Sequence, residues 1–305
     1  MQKYVLTIPS DRVLWDNKDI FQIMNYFDGS DLQIAKGSHL LLIEGINGAG
    51  KSTYTCEFVR KNQYRTRICT YRGQGFHPVD LSRIARFSEM EYLSFRKMCM
   101  NAAEIDEKNI LQSINVHTCY SEHYYWVDYT RIETICRCRQ ALVYAHEHEL
   151  YDGFCSVTDF MESHLIRWKQ FPTYVNSKSN DSIHLLEGVF FQYPIMNLLG
   201  FYDIDKMAIA AYMNSILSSV QSLSPCLVYL DVPDVEKSIK MASLERPLWM
   251  EQYCFWLKNT RYARVNGISG QEGVIAFCKQ RQEIEHYILD KLSVPKKIIE
   301  RHDLL

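Results

Sequence analysis

His39-Leu40-Leu41-Leu42-Ile43-Glu44-Gly45-Ile46-Asn47-Gly48-Ala49-Gly50-Lys51-Ser52-Thr53 is the stretch on which the reading of this chain turns. His39 to Glu44 is a short apolar run stopped by a glycine, the pattern of a strand buried on both faces of a parallel sheet. Beyond Lys51 the segment STYTCEFVRKN places Tyr54, Phe58 and Val59 at helical spacing and ends on polar residues, so a strand, a glycine loop and a helix follow in that order. Between them, Gly45 to Ser52 satisfies G-x-x-x-x-G-K-[ST]. Glycines let backbone N–H groups curl around phosphates, and the helix N-terminus adds its positive dipole end. Gly45, Asn47, Gly48, Ala49, Gly50, Lys51, Ser52 and Thr53 are therefore the expected nucleotide-binding residues. Lys51 is placed to contact the β- and γ-phosphates and the Ser52 hydroxyl to ligate Mg²⁺.

Further strands are expected at Arg67 to Tyr71, Ile183 to Glu187, Cys226 to Asp231 and Lys297 to Glu300. Strands alternate with helical segments, which predicts an α/β fold with a mainly parallel five-stranded sheet. About a hundred residues separate the second strand from the third, too many for a simple crossover. They carry helical patterning at Val127 to Leu150, with Ile132, Ile135, Leu142, Val143 and His146 on one face, and end in the polar stretch Pro172 to Asp181, read as an exit loop. The division expected is an extension over 1–38, with an edge strand at Lys3 to Ile8, a core over 39–75 and 183–305, and a helical acceptor-side insertion over 76–182.

Across 305 residues, 34 basic side chains face 36 acidic ones. This balance predicts neither a nucleic-acid track nor an anionic membrane surface as partner. No stretch approaches the ~18 uninterrupted apolar residues of a membrane span and Met1 to Asp16 lacks a signal-peptide run, so a cytoplasmic location is expected. Ten scattered cysteines imply reduced thiols. Cys136 with Cys138, and His146 with His148, lack the spacing that closes a tetrahedral zinc site. A guanine-reading NKxD and a strand ending in DxxG are both missing, which argues against a GTPase.

The string LLIEGINGAGKST, Leu41 to Thr53, resembles the phosphate loop of thymidylate kinases and their nucleoside and nucleotide kinase relatives. LVYLDVP, Leu227 to Pro233, followed by a helix with Glu236 and Lys237, resembles the strand leading into the lid of that family, and Leu244-Glu245-Arg246-Pro247 falls where its lid arginine stands. Phe277, Arg281 and Tyr287 with the strand-like KKIIE resemble its last helix and strand. The resemblance implies a P-loop kinase core with strand order 2-3-1-4-5 and transfer of the γ-phosphoryl of ATP, with Mg²⁺, to a small-molecule acceptor. A nucleotide or nucleoside leads, and the assembly leaves room for a homodimer. The chain departs from the family on the acceptor side. Glu187-Gly188-Val189-Phe190-Phe191-Gln192 stands for the usual Asp-Arg pair with its aromatic, and Arg72-Gly73-Gln74-Gly75 for Arg-Glu-Pro-Gly-Gly. A nucleotide's own phosphate is commonly clamped by arginine forks, so these losses keep another hydroxyl-bearing metabolite or an antibiotic open as acceptor. A regulatory ATPase or switch is the rival of another class.

Glu187 ends a strand at the crevice where ligands of such sheets bind, suited to hold Mg²⁺ or to take the acceptor hydroxyl's proton. Asp231 competes for that role, but Pro233 and the helical stretch after it favour a helix cap. Arg246 is the lid candidate, reaching the transferring phosphoryl. Arg72 is an expected substrate contact. Arg281 shares a helical face with Val274, Phe277, Ile284 and Ile288 and is read either as a buried ion pair or as an acceptor-binding group. The aromatic run CYSEHYYWVDY, with Tyr120, Tyr124, Tyr125, Trp126, Tyr129 and Asp128, is core packing or a stacking surface, with His123 or His146 beside it.

Overall fold

The computed structural model describes residues 37–64, 66–72, 77–101, 107–129, 132, 138–177 and 182–301. The expected edge strand at Lys3 to Ile8, almost all of the 1–38 extension, Gly73 to Gly75 and Cys136 lie outside the described residues.

Five strands make one parallel sheet: β1 (Leu40–Glu44), β2 (Arg67–Arg72), β6 (Ser182–Glu187), β7 (Cys226–Asp231) and β8 (Lys296–Glu300), in the order β2-β6-β1-β7-β8. Counted along the chain, that is the expected order 2-3-1-4-5. Composition explains the order. LLLIE and SIHLLE are buried at every position and so occupy the middle, covered on both faces. RICTYR and KKIIE alternate in exposure and carry the cationic side chains that suit sheet edges.

Helices cover both faces. They include α1 (Lys51–Asn62), α5 (Val157–Asn176), α6 (Gln192–Gly200), α7 (Lys206–Ser219), α8 (Val235–Glu245), α9 (Pro247–Asn259), the short α10 (Arg261–Asn266) and α11 (Gly270–Lys291). The longest, α11, buries Val274, Ile275, Phe277, Cys278, Arg281, Ile284, Glu285, Ile288 and Leu289, a stripe at three- and four-residue spacing with two charges inside it.

The 76–182 stretch corrects two expectations. It is not purely helical: β3 (Ile84–Phe87), β4 (Thr118–Ser121) and β5 (Tyr124–Asp128) form an antiparallel sheet in the order β3-β5-β4, accompanied by α2 (Glu89–Asn101), α3 (Glu107–Val116) and α4 (Arg139–Glu147). The aromatic run is the hairpin of β4 and β5, turned by Glu122 and His123, both at positive φ, which the two-residue turn of a twisted hairpin demands. Tyr-Tyr-Trp-Val is a strong strand former, and of the helical stretch expected over Val127 to Leu150 the structure gives α4, which carries Leu142, Val143 and His146. The second correction is Pro172, which lies inside α5 and not in a loop. Phe171 and Val175 on either side are buried in the main core, and their burial holds the helix through the proline.

Successive side chains of the small sheet point to opposite faces. Ile84 and Trp126 enter the main core, whereas Ala85 and Val127 enter a second core with Phe87, Phe95, Ile114 and Ala141. Phe160, Trp168 and Phe171 of α5 also belong to the main core, and Arg86 of β3 donates to Ser163 at 3.0 Å and pairs with Asp159, so that helix packs between the large sheet and the small one.

Candidate functional site

At the carboxyl end of β1 the chain makes a loop that only glycine permits at its key points. Gly45 has φ 143, and a Cβ there would sit 2.5 Å from the carbonyl oxygen of Leu230 on β7. Gly48 has φ 84, and its Cβ would meet the Ser238 hydroxyl of α8 at 2.6 Å. The loop is thus wedged between β7 and α8 with no room for a side chain at Gly45 or Gly48. It leads into α1, whose N-cap is Gly50; no side chain caps this helix and no acid stands in its first turn. Its amides are left for an outside acceptor.

Around that helix end the structure gathers residues from four parts of the chain. Lys51 Nζ donates to the carbonyls of Gly45 and Ile46, both at 2.8 Å. The residue keeps some exposure, yet burial of its ammonium end and the nearby Arg281 charge push it down to about 8, against the pull of Glu44, Glu285 and Glu187. The Ser52 hydroxyl donates to Glu187 Oε1. Glu187 is buried, and its other oxygen accepts no hydrogen bond among the described residues, with Arg72 Nε 3.7 Å away. Gly188 turns at φ 65, and a Cβ on it would lie 3.2 Å from Lys51 Cε, so the strand end carrying Glu187 abuts the lysine. Thr53 is exposed, while Ala49 is buried.

Arg281 is fully buried beneath the loop. Its Nη1 donates to Asn47 Oδ1 at 2.7 Å, its Nη2 to the Gly45 carbonyl at 3.2 Å, and Nε faces Glu285 Oε1 at 2.9 Å. Glu285 in turn accepts from the Tyr229 hydroxyl at 2.8 Å. The acceptor-binding reading of Arg281 is corrected by this placement: its fork is used up on the loop and the ion pair.

Asp231 is also corrected. The cap of α8 is Asp234, whose Oδ1 accepts from the Lys237 amide at 2.9 Å; Asp231 accepts instead from Gln282 at 3.0 Å and pairs with His286 at 2.9 Å, both on α11. Arg246 sits exposed at the junction of α8 and α9, its guanidinium carbon 5.2 Å from the Trp249 ring centre. Arg72 ends β2, more than half exposed, with Nη2 3.4 Å from Cys56 Sγ. The aromatic run divides: Tyr125 stacks on Tyr92 at 4.1 Å, Trp126 enters the core and Tyr129 donates to Glu149 at 2.5 Å, whereas Tyr120 and Tyr124 are exposed. His146 also binds Glu149, at 2.9 Å, and His123 is exposed in the hairpin turn.

Two residues escaped the sequence reading. Arg301, just past β8, packs so closely on the loop that a Cβ on Gly50 would fall 2.8 Å from its Nη1. Glu44, last residue of β1, is fully buried; its Oε1 accepts from the Phe190 amide at 2.6 Å and its Oε2 has no hydrogen-bond partner among the described residues. Burial raises this carboxyl to about 7, with Glu285 adding to the rise and Lys51 opposing it. A carboxyl held above its unfolded value of 4.5 lends stability that is complete below about pH 4.5 and is lost as pH climbs through 7. Urea denaturation at pH 5 and pH 8 tests this. The stability difference between wild type and Glu44→Gln should move against wild type by up to about 3 kcal/mol across that interval.

For a divalent cation the donors that fit are the Ser52 hydroxyl and the Glu187 carboxylate, hard oxygens side by side, the second carboxylate oxygen making no hydrogen bond among the described residues and standing 3.7 Å from Arg72 Nε. Among the described residues there is no group of three or more His, Cys, Asp or Glu that would enclose a metal. Two protein oxygens with water filling the remaining positions suit Mg²⁺ better than zinc. No helix of the described residues is long and apolar enough to cross a membrane.

No protein-family model matches this chain, and no curated protein matches it.

Proposed function

We propose that the protein transfers the γ-phosphoryl group of Mg-ATP to a hydroxyl of a small-molecule acceptor, most simply a nucleoside or nucleotide. The observation that carries the reading is the convergence of Lys51, Ser52 and Glu187 on the uncapped N-terminus of α1. In this account the α1 amides and the Gly45–Ser52 backbone bind the triphosphate, and Lys51 exchanges the Gly45 and Ile46 carbonyls for phosphate oxygens. Glu187 takes the proton of the acceptor hydroxyl on its free oxygen or holds a metal-bound water. Mg²⁺, held by Ser52 and Glu187, would neutralise charge on the phosphates. Arg281 and Glu44 touch no reactant; they fix the loop and the 187–191 turn.

The test is ADP release from ATP and Mg²⁺ in the presence of a panel of nucleosides, nucleotides, sugars and aminoglycosides. Stimulation by one acceptor class is expected. Slow release indifferent to every acceptor would replace the reading with that of a regulatory ATPase.

Arg246 at its exposed helix junction is proposed as a lid group that reaches the phosphoryl on closure. Arg246→Ala should lower turnover at saturating ATP by about tenfold or more, close to 1.4 kcal/mol of barrier, with the thermal midpoint unchanged. A loss under about threefold removes the role.

A further inference from the structure

Gly188 has no side chain, and the point where its Cβ would stand shows what gathers at the reaction site. Lys51 Cε lies 3.2 Å from that point, Gln192 Oε1 3.4 Å and Gln192 Cδ 3.8 Å. Glu187 is the preceding residue, so the strand end and the lysine share their space with a carboxamide. Local structure explains why it is there. Gln192 is the first residue of α6, and side chains on a helix lean back towards its N-terminus, here towards Gly188. The turn that carries it is held firmly: Gly188 N donates to the Ile43 carbonyl at 2.8 Å, Phe190 N to Glu44 at 2.6 Å and Ile195 N to the Phe191 carbonyl at 3.0 Å. From 188 to 195 every residue is buried except Gln192, which is half-buried. The one side chain of this turn that reaches solvent is thus the carboxamide beside Lys51.

Phosphoryl transfer spreads negative charge over the equatorial oxygens of the moving group, and donors fixed around it in advance lower the barrier. Of the cations around the loop, Arg281 is spent on Asn47, Gly45 and Glu285, Arg301 packs on Gly50 from the β8 side, and Arg72 stands 3.7 Å from Glu187. The side of the γ-phosphoryl next to Gly188 is left to Gln192. We propose that Gln192 is a further catalytic residue, whose Nε2 donates to an oxygen of the γ-phosphoryl while the acceptor hydroxyl attacks. In that step the bond from the acceptor oxygen to the γ-phosphorus forms, and the bond from that phosphorus to the β–γ bridging oxygen breaks, its electron pair leaving on ADP. The hydroxyl proton goes to Glu187. A half-turn of the last side-chain torsion exchanges Oε1 and Nε2, so the donor comes to the Lys51 side with no movement of the backbone. The role rests on the kinase reading above and adds a residue which that reading does not use.

The test compares wild type with Gln192→Leu, Gln192→Glu and Gln192→His, using Mg-ATP and whichever nucleoside, nucleotide, sugar or aminoglycoside of the panel stimulates ADP release most. Gln192→Leu and Gln192→Glu, which lack the donor, should lower kcat about a hundredfold or more, with acceptor KM and Mg-ATP affinity within about threefold of wild type. Gln192→His, which offers a ring N–H at a similar reach, should regain about tenfold of that loss. Mg-ADP with aluminium fluoride and the acceptor mimics the moving phosphoryl group. That complex should bind Gln192→Leu about a hundredfold more weakly than wild type, while Mg-ADP alone binds both equally. A kcat within about threefold of wild type in Gln192→Leu, a loss carried by KM or Mg-ATP affinity instead, or equal binding of the fluoride complex would overturn the role of Gln192 and leave the kinase reading standing. Failure of wild type to phosphorylate any acceptor of the panel would overturn both.

Discussion

Glu187→Gln is expected to lower acceptor-stimulated ADP release by about 10²–10⁴-fold while leaving the fold intact. The substitution keeps the shape of the side chain and its acceptor oxygen for Ser52, but removes the charge and the buried free oxygen. Both roles open to Glu187 require that carboxylate, as base or as holder of a metal-bound water. The two separate in the pH profile. If Glu187 is the base, the acidic limb of kcat disappears in the variant; if it serves the ion, raising Mg²⁺ restores part of the rate. Turnover within about threefold of wild type would remove Glu187 from the chemistry.

Arg281→Met should be the most destabilising single change at the site, costing about 3–5 kcal/mol in urea denaturation. It deletes the cation ion-paired with Glu285 and leaves that carboxylate at zero exposure with the Tyr229 hydroxyl as its one hydrogen-bond donor among the described residues. It also frees Asn47 and the Gly45 carbonyl, so Mg-ATP binding should weaken with it. Arg281→Met with Glu285→Met should recover most of the stability, because an apolar pair of similar volume removes the stranded charge. It should not recover nucleotide affinity, since the loop stays unpinned. If the double variant is no more stable than the single one, the buried pair is not the source of the loss.

The central strand, the loop and the first helix were legible because their signals are local: an apolar run, glycines where φ must be positive, and helical spacing directly afterwards. The sheet order was anticipated from the resemblance alone; the exposure of the edge strands explains it afterwards. Arg281 was visibly on a buried face, and Glu285 four residues on was a legible partner; its grip on Asn47, 234 positions away, was not. Asp231 misled because Pro233 announces a helix, whereas the partners of Asp231 come from α11, some fifty residues later. Glu44 was read only as the last residue of the buried apolar run, with no role of its own. Only packing against the Phe190 amide, 146 residues distant, buries it. In the insertion, Tyr124 to Trp126 were read as an aromatic cluster and not as a strand, because their strand preference shows only once β5 is paired on both sides.

The most direct measurement of the central claim is titration calorimetry of Mg-ATP into wild type and into Lys51→Ala. The account predicts saturable binding to wild type that weakens at least about a hundredfold in the variant, with both proteins giving the same circular dichroism. Equal binding by the two proteins, or none by wild type, would contradict it.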